Sequence, residues 1–341
     1  MLTKVEIRIA GTADGTAIRS FLKREWKQDH IFLTNQDIFM WQHHEPKKHQ
    51  LNFLLFEENG AIQSILGYIP STHFSARVSQ ERVFLAIWKT AGSCKTAGAG
   101  FHLFQQIRRR TNADFIGAIG VSDTALPIYK RLGFTTGLMD HFVVFNADPP
   151  AKFLPVSPFP AGSKEAASLV KVSLYDDSDR IDQICQATAS SKNSEFLINR
   201  YSLHPSYVYE AYLVSLDSSQ CVIIAREITV GSAVVCRVVD MVGSFALLAK
   251  AFGALSNLVS AKGYEYLDIY VTGLDAENMT AGGYFLRGAN SEVVVPNNFE
   301  PVQMKNTDLS FAWRNFSPEH EVVLFRGDSD QDRPNQETQR A

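Results

Sequence analysis

Cysteine is scarce in this sequence and follows no metal-binding pattern. The 341 residues include four, at Cys94, Cys185, Cys221 and Cys236. None of their spacings matches a zinc motif. Cys221 and Cys236 lie within apolar, strand-like runs, which predicts buried thiols that behave as small hydrophobic side chains. The pattern argues against a disulfide-rich secreted protein and predicts a cytoplasmic one.

Long apolar runs and an excess of one charge are also missing. No stretch of about 18 apolar residues occurs, so we predict no spanning helix and no membrane partner. The 33 basic and 36 acidic side chains give a formal net charge of −3, which argues against nucleic acid as the main partner. The first residues alternate as a strand does and show no apolar signal-peptide core.

Proline is sparse except in one segment, between Ala147 and Gly162. The prolines of that segment are Pro149, Pro150, Pro155, Pro158 and Pro160. This density is incompatible with a helix interior or a central strand, and it predicts an extended linker over residues 149–162. The linker divides the chain into domains at residues 1–148 and 163–326. Residues 327–341 are polar and poor in apolar side chains, which predicts a disordered tail.

The first half alternates strand-like and helix-like patterns. Period-two runs bounded by turn residues predict strands, and apolar residues at helical spacing predict helices. The predicted strands are Val5–Ile9, Leu51–Phe56, Ile62–Pro70, Val83–Thr90 and Phe115–Val121. The predicted helices are Asp14–Trp26 and Phe101–Arg110. The Asn59-Gly60 pair predicts a hairpin turn between the second and third strands.

A run of small residues follows the strand predicted at Val83–Thr90. It reads Lys95-Thr96-Ala97-Gly98-Ala99-Gly100 and precedes a predicted helix. Small side chains let a ligand approach the backbone closely. The N-terminus of a helix presents free N–H groups and the positive end of its dipole. The loop therefore predicts a phosphate or pyrophosphate site.

A second motif follows the next predicted strand. It reads Tyr129-Lys130-Arg131-Leu132-Gly133-Phe134 and closes a short helix that comes after Ser122. A glycine loop followed in this order by Tyr…Leu-Gly-Phe resembles the core of the GNAT acyltransferase family. Lys95 stands where that family usually has glutamine or arginine, whereas Gly98 and Gly100 match its pattern. The resemblance covers residues 83–145.

The resemblance implies transfer of an acyl group from acyl-CoA, a co-substrate, to an amine. It implies that the loop amides hold the pyrophosphate and that the pantetheine adds as a pseudo-strand along Val83–Thr90. It also implies an oxyanion-stabilising amide near Ile87 or Trp88, and Tyr129 as the general acid that protonates the leaving thiolate. The implied acyl-CoA site comprises Ile87, Trp88, Lys89, Lys95, Ala97, Gly98, Ala99, Gly100, Phe101, Ser122 and Tyr129.

The second half repeats this order of elements. Its predicted strands are Tyr209–Leu216, Cys221–Glu227, Ala233–Val242 and Tyr266–Val271, with a helix at Ser244–Ala261. We therefore expect an α/β fold of two tandem GNAT-like domains, each a mixed sheet flanked by helices. Only Val242-Gly243-Ser244 precedes the second helix, without the Gly-x-Gly loop. One acyl-CoA per chain is expected, on the first domain, with the second domain kept for packing and acceptor binding.

The base that would deprotonate the acceptor amine is not evident from the sequence. The candidates are His43, His44, Glu45, His73 and Asp240, of which we assign His44 and Asp240. The adjacent His43 and His44 lack the i, i+4 spacing of a helical metal pair and have no third ligand nearby, which predicts no metal site.

Clusters of polar and aromatic residues in both halves are candidates for acceptor binding. Arg237 and Asp240 interrupt an apolar strand, where each charge needs a partner. Because they are three residues apart, they are expected on opposite faces of that strand. The predicted acceptor-binding residues are Trp41, His43, Arg200, His204, Arg237, Asn298 and Glu300.

Tandem GNAT-like chains of this length resemble bacterial N-acyltransferases that modify nucleotide-linked amino sugars for surface polysaccharides such as O-antigen. The resemblance implies direct attack by the amine, and no Gly-x-Ser-x-Gly nucleophile motif occurs in the sequence. Two alternatives remain open: an aminoacyl or peptidyl transferase of the peptidoglycan type, and a non-catalytic acyl-CoA-binding protein. Monomer and homodimer also both remain open.

Overall fold

The computed structural model describes residues 4–147, 167–288, 291–317 and 321–335. The linker predicted at residues 149–162 lies outside the described residues. Among those that are described, no helix combines the length and the apolarity that crossing a membrane requires.

The first half forms the strands and helices of one mixed sheet. Its strands are β1 (Val5–Gly11), β2 (His44–Glu45), β3 (Gln50–Glu58), β4 (Ala61–Pro70), β5 (Arg82–Thr90), β6 (Phe115–Ile119) and β7 (Thr135–Leu138). Its helices are α1 (Gly15–Glu25), α2 (Ile31–Thr34), α3 (Gln36–His43), α4 (Ala99–Thr111) and α5 (Leu126–Arg131). All of the strands and helices predicted for this half are present, with small shifts in their bounds.

All but one of the remaining strands build a second sheet. Its strands are β8 (Asp140–Phe145), β9 (Ser168–Val172), β10 (Glu210–Leu216), β11 (Ser219–Val230), β12 (Ala233–Gly243), β13 (Tyr266–Thr272), β14 (Phe285–Leu286) and β16 (Leu324–Phe325). The helices are α6 (Ser178–Ala187), α7 (Ser194–Leu197), α8 (Leu247–Lys250), α9 (Phe252–Lys262) and α10 (Ala276–Gly282). The sequence predicted one helix from Ser244, but the structure has two. The first begins only at Leu247, and a break at Ala251 separates it from the second.

The two sheets exchange strands. In the first, the order is β1-β3-β4-β5-β6-β15-β7, where β15 (Ser310–Asn315) comes from the second half of the chain. In the second, the order is β14-β8-β13-β12-β11-β10-β9, where β8 comes from the first half. The mixed α/β class and the two sheets flanked by helices are confirmed.

Helix α4 packs on the first sheet through an apolar stripe. Leu103, Phe104 and Ile107 are buried and belong to one cluster with Leu54 and Val83 of the sheet. Burying each such side chain contributes about 1.5–3 kcal/mol. Asn112 ends the helix in the left-handed conformation, as a C-terminal cap. This packing fixes the N-terminus of α4 beside the end of β5.

The C-terminal segment, defined here as residues 324–334, is not a disordered tail as far as the structure describes it. Asp328, Ser329, Asp330 and Asp332 are all buried. The polar composition suggested disorder, but Asp328 pairs with Lys192, Asp330 with Arg333, and Asp332 with Arg226 of β11. Residues 336–341 of the predicted tail lie outside the described part of the chain.

Candidate active site

The parallel strands β5 and β6 separate where the acyl-CoA site was predicted. They pair only from Arg82↔Phe115 to Phe84↔Gly117. Just beyond, Ala86 is an extra residue in β5, since Tyr68 of β4 faces Leu85 while Gly67 faces Ile87. A β-bulge of this kind bends its strand and is common beside active sites. The bulge and the end of pairing leave Ile87, Trp88 and Lys89 on a part of β5 that has no β6 partner.

The loop that follows β5 delivers the N-terminus of α4 to this opening. Gly98 is in the left-handed conformation at φ 75°, and no side chain caps the helix. A Cβ atom added to Gly98 would meet nothing within 4 Å. The amides of the first turn have no intrahelical partner by geometry. An anion there would gain about 0.3–1 kcal/mol from the helix dipole in an exposed setting.

Glu58, at the end of β3, shapes this loop from a distance in sequence. Its carboxylate accepts hydrogen bonds from the backbone N–H groups of Thr96 (2.7 Å) and Lys95 (3.2 Å). The Thr96 hydrogen bond, with those of the loop backbone, holds the pKa of Glu58 below its ordinary value. Two loop amides are therefore already used, and those of Ala97 to Phe101 remain for a ligand. The sequence contains no signal for this contact.

Gly100 has a packing role that sequence reasoning missed. A Cβ atom at this position would lie 2.8 Å from both Thr90 Oγ1 and Trp88 Nε1. The indole of Trp88 also donates a hydrogen bond to the Gly100 carbonyl at 3.0 Å. Gly100 therefore lets α4 approach β5 closely, whereas Gly98 is the glycine that faces open space.

Tyr129 lies at the edge of the same region, in an aromatic cluster. Its ring packs against Trp88, Phe104 and Phe134 at centroid distances of 6.0, 5.7 and 5.2 Å. Burial raises the pKa of the phenol, which keeps the proton on the oxygen at neutral pH. Within the described residues the hydroxyl makes no hydrogen bond, so it is available to a ligand. Ser122 lies nearby in sequence, in the exposed turn before α5, where its hydroxyl contacts Thr124 at 3.0 Å.

The histidines predicted for the first half occupy different environments. His43 is fully buried beside Phe53, with ring centroids 4.4 Å apart, and burial holds its pKa well below the ordinary value. His44 is only partly buried, on β2. His73 contacts the Glu45 carboxylate at 2.8 Å and the Trp41 carbonyl at 2.7 Å. Catalytic roles for these groups stay predictions.

Three of the predicted acceptor residues come together across the two halves. The ring of His204 lies 4.4 Å from that of Trp41, and the Arg200 guanidinium lies 5.3 Å from the Trp41 ring. The Trp41 indole donates to the Asn199 carbonyl at 3.2 Å. These side chains form one seam between the first and second sheets, in which Arg200 and His204 are buried and Trp41 is partly buried.

The C-terminal segment runs along this seam. Arg200 donates to the carbonyls of Gly327 (3.0 Å) and Ser329. Asp332 pairs with Arg226 at 3.1 Å and accepts a hydrogen bond from Tyr209 at 2.7 Å. Further on, Arg333 lies over the ring of Phe32, 5.1 Å from its centroid, in the first half. Arg200 and its neighbours in this seam are thus largely engaged by the chain itself.

The other predicted acceptor residues belong to neighbouring polar networks. Glu300 accepts a hydrogen bond from Tyr207 at 2.6 Å, and Asn298 donates to Gln303 at 3.3 Å. Arg237 forms a buried ion pair with Asp268 at 2.6 Å. Burial would raise the pKa of Asp268, but Arg237 and a hydrogen bond from His141 hold it below its ordinary value.

Asp240 is buried at the centre of a separate cluster. Its oxygens contact Lys192 and accept a hydrogen bond from Tyr201 at 2.6 Å. Burial raises the pKa of this carboxyl. The expectation that Arg237 and Asp240 lie on opposite faces is wrong. Val239 is the extra residue of a second bulge, so Arg237 faces Arg226 and Asp240 faces Ile224, on the same face of β12.

The second half has the same strand divergence, but its own chain fills it. β12 and β13 pair in parallel only from Cys236↔Leu267 to Val238↔Ile269, beside the Val239 bulge. β16 then pairs with Val271 and Thr272. Because β8 occupies the other edge of β13, β16 lies on the β12 side, inside the opening. This is where a pseudo-strand ligand would lie.

Metal ligands do not cluster in the described residues. No group of three or more His, Cys, Asp or Glu side chains there is arranged to hold a metal ion. The residues that surround the β5 opening are backbone amides, glycine, aromatic rings and a phenol, which suit an amide-like chain ending in a pyrophosphate.

Comparison with known proteins gives matches by structure and none by sequence. No protein-family model and no curated protein matches the chain. A GCN5-related N-acetyltransferase from Anabaena variabilis ATCC 29413 superposes with a TM-score of 0.58 at 12% identity, over 92% of this chain and 73% of that one. A protein from Enterococcus faecalis V583, described as a probable N-acyltransferase, superposes with a TM-score of 0.55 at 11% identity, over 92% of this chain and 73% of that one.

A third structure agrees with these two. A GCN5-related N-acetyltransferase from Kribbella flavida gives a TM-score of 0.51 at 12% identity, over 93% of this chain and 72% of that one. At such identities the likeness concerns the fold. The chain therefore has the fold of GCN5-related N-acetyltransferases, as two tandem GNAT-like units.

Proposed function

We propose that this protein is an acyl-CoA-dependent N-acyltransferase whose acceptor is the amine of a nucleotide-linked amino sugar destined for a surface polysaccharide. The observation that carries the acyl-CoA part is the divergence of β5 and β6 at the Ala86 bulge. Beside it lies the uncapped N-terminus of α4. A pantetheine arm suits the unpaired edge of β5, and a pyrophosphate suits the free amides of the first turn.

The proposed reaction is a single acyl transfer. The neutral amine attacks the thioester carbonyl carbon, the C–N bond forms, and the C–S bond breaks as the thiolate leaves. Tyr129 donates its proton toward that thiolate, and an amide near Ile87 or Trp88 stabilises the oxyanion. His44 and Asp240 are the proposed bases, of which His44 is on the same half as Tyr129.

The acceptor part of the proposal rests on the seam between the two sheets. Trp41, Arg200 and His204 offer a ring for stacking, a cation and an imidazole within one cluster. Arg237, Asn298 and Glu300 lie in the polar networks of the second sheet. A charged nucleotide sugar needs such a mixture of rings and hydrogen-bonding groups.

The test is thiol release from acetyl-CoA and other short acyl-CoAs in the presence of a panel of nucleotide amino sugars. We expect turnover with at least one pair, and Y129F to lower kcat about tenfold or more without lowering thermal stability. Y175F, at an exposed tyrosine, is the matched control. No release with any acceptor would contradict the proposal.

A non-catalytic acyl-CoA-binding protein is the second candidate. It is favoured by one observation, the engagement of Arg200 and the second sheet by the C-terminal segment. Binding of acyl-CoA without turnover on any amine, including simple alkyl amines, would support this candidate over the enzyme.

A further inference from the structure

A cavity of about 190 Å³ lies between the two sheets, away from the β5 opening. Arg82 and Phe115 reach it from the first sheet, and Met241 and Phe325 reach it from the second. The loop at residues 188–192 closes one side. This volume holds roughly six water molecules, so it accepts a small ligand and not a coenzyme A.

Two buried hydrogen-bond donors that line this cavity have no partner in the described chain. They are Nε of Arg82 and Nε2 of Gln80. Arg82 does donate from Nη1 to Ser191 Oγ at 3.1 Å, which leaves its Nε–Nη2 edge free. A buried donor without an acceptor destabilises the fold, and such groups call for an explanation.

A serine hydroxyl adds a further donor. Ser191 Oγ accepts from Arg82 at 3.1 Å, so it keeps its own O–H to donate. The hydroxyl of its neighbour Ser190 is already used, because it accepts from the Lys192 amide and is hydrogen-bonded to the Cys185 thiol. The cavity thus offers a guanidinium edge, an amide nitrogen and one O–H group, which is a surface suited to an acceptor of hydrogen bonds.

Arg82 forms no salt bridge within the described residues and lies over the Phe115 ring, 4.3 Å from its centroid. Lys192 contacts Asp240 and Asp328, the latter at 2.7 Å. These two carboxylates also act on Arg82 at longer range and oppose the lowering of its pKa by burial. One lining carboxylate, Glu321, is at the exposed rim. A guanidinium edge of this geometry suits a carboxylate or phosphate through two parallel hydrogen bonds.

We propose that this cavity, the inter-sheet site, binds a small molecule through a carboxylate or phosphate group held by Arg82, Gln80 and Ser191. The site is separate from the acyl-CoA site. Arg82 begins β5 and Trp88 is six residues along it, a separation of about 20 Å at 3.3 Å per residue. The inference does not depend on the proposed reaction.

The primary experiment is calorimetric titration of the full chain with inorganic phosphate and with propanoate. Binding of either supports the site, and the ligand that binds identifies its source as phosphate or carboxylate. R82M should weaken that binding about tenfold or more, because a bidentate charged contact is lost. R109M, which removes an exposed arginine from α4, should leave it unchanged.

A second pair of variants tests the site independently, in case R82M does not fold. Ser79 is an exposed lining residue, so S79D adds a charge at the rim while S79N is its neutral match. S79D should weaken binding severalfold and S79N should not. The proposal is overturned if neither ion binds at millimolar concentration, or if R82M and S79D bind as the unmodified chain does.

Discussion

Gly98 and Gly100 are two residues apart, yet the structure uses them for different purposes. The motif around them is visible in the sequence and predicts a helix N-terminus that faces a ligand. Which glycine faces the ligand depends on the rotation of α4 against β5. That rotation is set by the close contact with Trp88 and Thr90, which no local pattern encodes. The contact between Glu58 and the loop is likewise not predictable from a local pattern, because Glu58 lies on another strand.

A first prediction concerns Gly100. In G100A the new methyl group would lie 2.8 Å from Thr90 Oγ1 and Trp88 Nε1, so strand and helix must shift. We expect a loss of about 1–3 kcal/mol in the free energy of unfolding, measured with urea. The control, G92A, meets nothing within 4 Å and should change it by less than about 0.5 kcal/mol. If G100A and G92A have the same free energy of unfolding, α4 does not pack against β5 through Gly100.

Buried histidines should make stability depend on pH, and His204 and His30 are two of them. Nδ1 of His204 accepts from the amides of Ser206 (3.1 Å) and Tyr207 (2.9 Å), and Nδ1 of His30 accepts from that of Phe32 (3.2 Å). Burial lowers the pKa of both to about 3. The folded rings stay neutral, while in the unfolded chain they take up protons below about pH 6.5.

The free energy of unfolding should therefore fall as pH drops from about 6.5 toward 3. The expected slope is about 1.4 kcal/mol per pH unit for each histidine, measured by urea midpoints between pH 7.5 and 4.5. H204N keeps an acceptor and removes the titration, so it should reduce the slope. H49N, at an exposed histidine, should not. A flat profile for the unmodified chain would refute the assignment.

At the scale of elements, the β-bulges in β5 and β12 have two consequences. The first helps to open the candidate site, and the second explains why the sequence-based prediction for Arg237 and Asp240 is wrong. Alternation along β12 suggested opposite faces for Arg237 and Asp240. The extra residue Val239 reverses that alternation, as Ala86 does in β5. Strand bounds follow from apolar runs and turn residues, and those predictions are close. A bulge does not change the apolar composition by which a strand is recognised in the sequence. The position of a bulge therefore cannot be predicted from an apolar run.

The filling of the second opening leads to a prediction at Gly327. A Cβ atom there would lie 2.6 Å from the Val239 carbonyl and the Tyr201 hydroxyl. G327A should displace the C-terminal segment and lower the free energy of unfolding by about 1–3 kcal/mol. G288A, with no atom within 4 Å, is the control. If G327A unfolds at the same urea concentration as the unmodified chain, the segment does not pack in the opening.

At the scale of the whole molecule, strand exchange ties the two halves together. β15 lies between β6 and β7, and β8 lies between β13 and β14. The repeat of elements predicts two similar units, because each half shows the same order of apolar runs. It does not predict the exchange, since β8 and β15 are short and any sheet edge of matching polarity can accept such strands. The division at residue 148 stays a prediction.

The two openings make the molecule asymmetric. The first has a glycine loop at an uncapped helix and an unpaired edge of β5, whereas β16 lies in the second. The central claim is that one acyl-CoA binds per chain, in the first opening. Ala97 is the position that tests it, because it is exposed in the loop, whereas a larger residue at Gly100 would disturb packing.

The most direct measurement is calorimetric titration of the full chain with coenzyme A and acetyl-CoA, using A97E and its neutral match A97Q. The account predicts one site per chain in the unmodified protein and in A97Q. It predicts affinity at least tenfold weaker in A97E, where a carboxylate would lie beside the pyrophosphate. Two sites per chain, no binding, or A97E binding as tightly as A97Q would contradict it.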